Sequence, residues 1–170
     1  TDGMYVGAPD LCYKTWTKVH YGKTWQQEQD RLKRAKALDH EAALMSASWG
    51  KFQIMGFNYE SAGFSNVQDF VDAMHKSERE QLMAFIAFVR RNGLAVYLRN
   101  RDWASFAKGY NGAAYAENQY DKKIAAAYVK FATETVVESI QESPLKAPSI
   151  INVILSVFKF VFKFLQRGKS

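Results

Sequence analysis

Between Ser77 and Gly93, the apolar residues Leu82, Phe85, Ile86 and Val89 fall at i, i+3, i+4 and i+7. That spacing lines one stripe of an α-helix and fits no half-buried strand. Ser77 with Glu80 reads as a capping box at the start, and Asn92-Gly93 offers a residue suited to positive φ at the end. Thr24 with Gln27 opens another helix to about Lys36, with Trp25, Leu32 and Ala35 facing inward. Asp39 caps a short helix from His40 to Met45, and Ser65 with Gln68 opens one to about Met74. Leu94 to Leu98 is a helical turn. Asp102 caps a helix whose Trp103, Phe106, Ala107 and Tyr110 share one face, and a long helix from Tyr120 to about Ile140 turns Ile124, Tyr128 and Phe131 inward. Residues 1–23 are irregular. The fold expected is mainly α.

A helical body of this size needs a packed core, and 48% hydrophobic with 15% aromatic residues supplies one. The single cysteine, Cys12, excludes an internal disulfide framework and a thiolate cluster. His20, His40 and His75 stand in no ligand-like spacing, so neither metal nor cofactor is expected. The net charge of +6 is uneven: residues 141–170 hold five Lys/Arg and one acid, which leaves about +2 for residues 1–140. A body so nearly balanced argues against a nucleic-acid partner. The basic tail fits an anionic surface such as membrane, lipopolysaccharide or cell wall.

Residues 141–149, with two of the three prolines, read as a linker between a domain at 1–140 and a tail at 150–170. From Ile150 to Leu165, 12 of 16 residues are apolar, and Asn152, Ser156, Lys159 and Lys163 stack on one narrow helical stripe that Arg167 extends. Such a helix reaches roughly 24 Å, short of the ~30 Å hydrocarbon core. An amphipathic helix lying in the membrane interface is expected, with Phe158, Lys159, Phe162, Lys163 and Arg167 as its contacts. Two alternatives stay open: a terminal helix docked on the body, and a strand in which Phe158, Phe160, Phe162 and Phe164 alternate with their neighbours.

One stretch resists this helical scheme. Ser46 to Tyr59, S-A-S-W-G-K-F-Q-I-M-G-F-N-Y, is a poor helix and a poor strand, expected as a loop or a broken helical turn. Gly50 suits close backbone approach or positive φ. Hydroxyls, amides and rings at a turn are what a sugar groove needs, while a core turn packing Phe52, Ile54 and Met55 is the plain alternative.

This stretch resembles the signature of the phage and prophage N-acetylmuramidases, lysozyme-like endolysins that cut peptidoglycan. Its G-x-F-Q-I portion is also similar to a box of soluble lytic transglycosylases and goose-type lysozymes. Gly109-Tyr110-Asn111-Gly112, with Tyr115, resembles the A-Y-N-x-G box of the same superfamily, and the likeness runs from about Pro9 to Phe131. The resemblance implies a lysozyme-like helical domain. It implies a cleft lined by Ser46, Ser48, Trp49, Gly50, Gln53 and Asn58, with Tyr110, Asn111 and Tyr115 facing it. Tyr110 as a core ring and the asparagines as turn residues are the alternatives.

Cleaving a glycoside requires a carboxylic acid to protonate the leaving oxygen. In the resembled family that acid lies in a V-E-S-x-G segment, followed by F-E-R-H. Neither occurs here, so the chain is expected to start downstream of them, lacking the first third of the family domain. Glu41 is the resident candidate for the catalytic acid. Its place behind Asp39, where the helix dipole favours a carboxylate, suits a first-turn helix stabiliser better. Glu60 and Asp39 are weaker candidates.

Two functions follow. One is a peptidoglycan hydrolase acting on the MurNAc–GlcNAc backbone. The other is a non-catalytic fragment of such a lysin that binds or permeabilises. The expected partners are peptidoglycan strands and an anionic membrane or lipopolysaccharide, with the protein a monomer. Thr1 to Asp10 shows no signal peptide, so synthesis in the bacterial cytoplasm and action at the periplasm or cell wall are expected.

Overall fold

The computed structural model describes residues 7–13, 17 and 19–142. Among these residues seven α-helices follow one another: α1 (Trp25–Leu38), α2 (His40–Ser46), α3 (Val67–Lys76), α4 (Glu78–Arg91), α5 (Ala95–Arg99), α6 (Trp103–Asn111) and α7 (Tyr120–Glu142). Strands β1 (Ser48–Trp49) and β2 (Ile54–Met55) lie between α2 and α3, leading into a 3-10 turn, Gly56–Asn58. A second 3-10 turn, Ala113–Ala116, joins α6 to α7. The fold is mainly α.

Most helices start where the polar caps place them. Thr24 and Gln27 form the full reciprocal box on α1, Asp39 caps α2 through the Ala42 N–H, Ser77 caps α4 through the Glu80 N–H, and Asp102 caps α6 through the Ser105 N–H. One start differs from expectation. α3 is capped by Asn66, not Ser65: the Asn66 side chain accepts from the Asp69 N–H at 2.8 Å and its amide returns a bond to the Asp69 carboxylate at 2.8 Å. Asparagine and serine cap about equally well, so the better-placed partner decides.

The core gathers around α4. Phe70, Phe85, Phe106 and Leu44 are its largest fully enclosed side chains, and Leu82, Val89, Ile124 and Ala127 complete the stripe and its cover. α1 stands apart from this. It buries no residue, and Trp25, expected inward, is 74% exposed. Leu32 and Ala35 are only partly covered. The side chains of α1 reach instead to the preceding segment, Arg34 to Asp10 at 2.8 and 3.1 Å and Arg31 to the Tyr13 hydroxyl at 3.2 Å.

Two further expectations are adjusted. The signature stretch is a small antiparallel hairpin, with Ser48 opposite Met55 and Trp49 opposite Ile54, rather than a loop or broken helix. α7 continues through Gln141 and Glu142, the first two residues of the expected linker. The rest of that linker and the tail, with Phe158, Lys159, Phe162, Lys163 and Arg167, lie outside the described residues.

Candidate functional site

The hairpin turns through Gly50, Lys51, Phe52 and Gln53. Gly50 takes φ +69°, which its missing side chain permits, and Gln53 takes φ +52°, a strained choice for a residue with a Cβ. The Gln53 side chain folds back across the turn and ties it. Its carbonyl oxygen accepts from the Ser48 hydroxyl at 2.9 Å, and its amide donates to the Gly50 carbonyl at 2.9 Å. Both side chains are exposed, so each keeps a face toward solvent.

Two distant side chains fix this turn from beneath. Gln81 on α4 accepts from the Lys51 N–H at 2.8 Å and donates to the Met74 carbonyl at 2.6 Å, bridging the turn to the end of α3. Lys51 also pairs with Glu78. From α6, the Tyr110 hydroxyl donates to the Phe52 carbonyl at 2.6 Å. The Tyr110 ring packs against Phe85, Phe88 and Phe106, and Phe52 stacks on Phe85 at 4.6 Å. Burial pushes the Tyr110 phenol up, so it stays a hydrogen-bond donor. The two sequence boxes therefore meet, 58 residues apart in the chain.

The remaining expected site residues divide. Ser46 is exposed at the end of α2, its hydroxyl on the Ala43 carbonyl at 3.0 Å. Asn58 is half-buried in the 3-10 turn, and its carbonyl accepts from the Ala62 N–H. Asn111 is exposed, with its amide reaching back to the Ala107 carbonyl at 3.3 Å. Tyr115 is half-buried and packs on the core. Trp49 is turned inward. Its indole donates to the Leu44 carbonyl at 2.9 Å and its ring meets His75 edge-on at 5.8 Å. Tyr110 takes the role of a core ring whose hydroxyl is occupied.

Glu41 is exposed in the first turn of α2. Glu60 lies 3.4 Å from the Tyr59 hydroxyl. Burial first, then the Glu60 carboxylate and then that of Glu41, raise the Tyr59 phenol above its ordinary range. The two acids considered separately in the sequence thus act on one hydroxyl. Among the described residues, no cluster of three His, Cys, Asp or Glu side chains is arranged to hold a metal.

Sequence reasoning missed Gln81. Gln81 gave no signal beyond a polar residue next to the apolar stripe. Phe57 lies inside the signature and is 60% exposed.

A mainly α domain whose hairpin signature is locked to a Y-N box on a later helix defines the class: a lysozyme-like domain. The chain belongs to the N-acetylmuramidase family, whose model matches residues 2–132. The endolysin of Enterobacteria phage PRD1 is 41% identical over 78 residues, covering 42% of this chain and 51% of that protein. The crystal structure of the Burkholderia AP3 phage endolysin superposes with a TM-score of 0.63 at 42% identity, covering 71% of this chain and 46% of that one. The chain thus spans about half the length of these relatives.

Proposed function

We propose that this chain recognises and cleaves the MurNAc–GlcNAc backbone of peptidoglycan, as an endolysin-type N-acetylmuramidase. The observation that supports this most is the Tyr110–Phe52 hydrogen bond, which brings the two family boxes together beneath the proposed glycan surface. On that surface Ser46, Ser48, Gly50, Gln53 and Asn58 offer hydroxyl, backbone and amide groups to sugar hydroxyls and acetamides, with Asn111 and Tyr115 at the α6 end. Trp49 and Tyr110 support the surface from inside.

Binding and turnover are expected to come apart. Protonating the leaving oxygen needs a carboxylic acid kept neutral by its surroundings, a step that contributes typically ~10²–10⁴-fold. Glu41 and Glu60 are both exposed. The test pairs sedimentation of the chain with purified peptidoglycan and the release of reducing ends from it. Retention with slow release is expected. Brisk release abolished by Glu41→Gln would make Glu41 the acid and overturn the expectation of slow turnover. Brisk release unchanged by Glu41→Gln would pass the role to another carboxylate, Glu60 first. A chain that shows no retention and no release would overturn the glycan assignment.

The tail sequence supports a second element of the proposal, a membrane contact made by Phe158, Lys159, Phe162, Lys163 and Arg167. Each basic residue near an anionic surface adds about 1 kcal/mol. Co-sedimentation with anionic liposomes is expected for the full chain and not for residues 1–144; equal partitioning would refute it. Among the described residues, no helix is long and apolar enough to cross a membrane.

A further inference from the structure

We infer that Gln81, on α4, is a positioning residue for glycan binding: it fixes the backbone of the hairpin turn so that the exposed Gln53 amide meets the ligand in one orientation. This rests on the glycan assignment proposed above and goes beyond it in naming a residue that lies outside both family boxes.

Gln53 is the strained point of the turn. Its φ of +52° is uncommon for a residue with a Cβ, and such a conformation persists only where its surroundings over-determine it. From outside, the side chain holds itself, accepting from the Ser48 hydroxyl and donating to the Gly50 carbonyl. An amide has two N–H donors and two lone pairs on its oxygen. Those two bonds use one of each, so among the described residues the exposed amide keeps one donor and one acceptor for a ligand. A polar group already fixed in its bound orientation binds at a lower ordering cost than one that must be arrested on contact.

Gln81 supplies the order from beneath. Its Oε1 accepts from the Lys51 N–H at 2.8 Å, two residues before Gln53, while its Nε2 donates to the Met74 carbonyl at 2.6 Å. Both ends of this half-buried amide are engaged, and turning it over would set donor against donor and acceptor against acceptor. The turn lies directly on it: a Cβ added to Gly50 would come within 3.1 Å of the Gln81 Cδ and Oε1 and 3.0 Å of the Met74 Sδ. The Tyr110 hydroxyl holds the next residue through the Phe52 carbonyl. Gln81 and Tyr110 thus fix two successive residues just ahead of Gln53. Without the Gln81 acceptor the Lys51 backbone is released, and a return of Gln53 to negative φ would carry its amide off Ser48. The effect of Gln81 on a ligand therefore passes through Gln53.

The experiment is a double-mutant cycle on the full chain, with two readouts: sedimentation with purified peptidoglycan and urea unfolding. Binding is compared at a temperature where circular dichroism shows every chain folded. Gln53→Gly removes the amide and accepts the positive φ. Gln81→Met keeps the length of the side chain and removes both hydrogen bonds. Each single variant is expected to weaken retention about fivefold, the effect of one hydrogen bond. The double variant is expected to bind no worse than Gln53→Gly alone, while Gln81→Met lowers the urea midpoint by the same amount in both backgrounds. A merely structural Gln81 would shift the midpoint without this coupling in retention. Gln81→Ala repeats the cycle with an empty site, and the same coupling is expected. Wild-type retention in Gln53→Gly, or in both Gln81 variants, would overturn the inference, as would losses that multiply in the double variants. Each of these outcomes leaves the glycan assignment standing. A wild-type chain that does not sediment with peptidoglycan would overturn both.

Discussion

The hairpin turn and helix α1 both lie at the surface, yet they are held in opposite ways. The turn is anchored by groups remote in sequence, Gln81 and Tyr110, over the buried stack of Phe52 and Phe85. α1 buries nothing and is tied to its N-terminal neighbour by exposed charges and tyrosines. Buried packing is worth several kcal/mol per large side chain, whereas exposed ion pairs contribute little and are screened by salt. The energetic weight of the domain therefore lies under the signature, and α1 is its adjustable edge.

The largest effect expected from this contrast is at Phe85, which lies 1% exposed beneath the turn. Phe85→Ala should cost about 3–5 kcal/mol in urea unfolding. A loss below about 1 kcal/mol would mean that the turn does not depend on the stack. Next is Tyr110→Phe, which keeps the ring and removes the 2.6 Å bond to Phe52. About 1 kcal/mol of stability should go, with weaker retention on peptidoglycan. Unaltered retention would separate the clamp from the glycan surface.

The ion pair at α1 should respond to pH and salt. The Arg34 guanidinium, by its hydrogen bond first, holds the Asp10 carboxyl below the ordinary carboxylate range. A depressed folded value means that the contribution is present above the unfolded pKa of about 3.9 and is lost as pH falls through the folded one. Asp10→Asn should therefore lower the melting temperature slightly at neutral pH and not at strongly acidic pH, with the difference shrinking in high salt. A difference that persists in acid would assign the effect to something other than charge. The smallest effect belongs to Trp25→Ala. At 74% exposure, its removal should change stability by no more than about 0.5 kcal/mol. A larger loss would show that α1 is packed after all.

The same contrast separates what was legible in the sequence from what was not. Caps are local, a side chain reaching three residues ahead, so Thr24, Asp39, Ser77 and Asp102 could be read directly. The stripe on α4 was legible because the apolar run from Leu82 to Val89 stands between polar ends, with its largest residues at helical spacing. α1 has no such contrast, and its periodicity could not say that Trp25 faces water. The hairpin was hidden for a different reason. Strands of two residues are too short to alternate, the turn closes with a glutamine at positive φ, and Gln81 reaches it from 30 residues away. Both boxes could be recognised, but whether Tyr110 would face a cleft or clamp a backbone carbonyl depends on where Phe52 lies, which is tertiary information.

The Gln81 bridge also has a kinetic side. One amide group receives the Lys51 N–H and grips the Met74 carbonyl, so the turn cannot lift unless the α3–α4 junction loosens or that amide lets go. Opening of the turn and fraying at the start of α4 become a single cooperative event. In deuterated water, the Lys51 amide should exchange in step with amides in the first turns of α4, far more slowly than its exposed loop position suggests. Gln81→Ala should release Lys51 to exchange as an ordinary loop amide does.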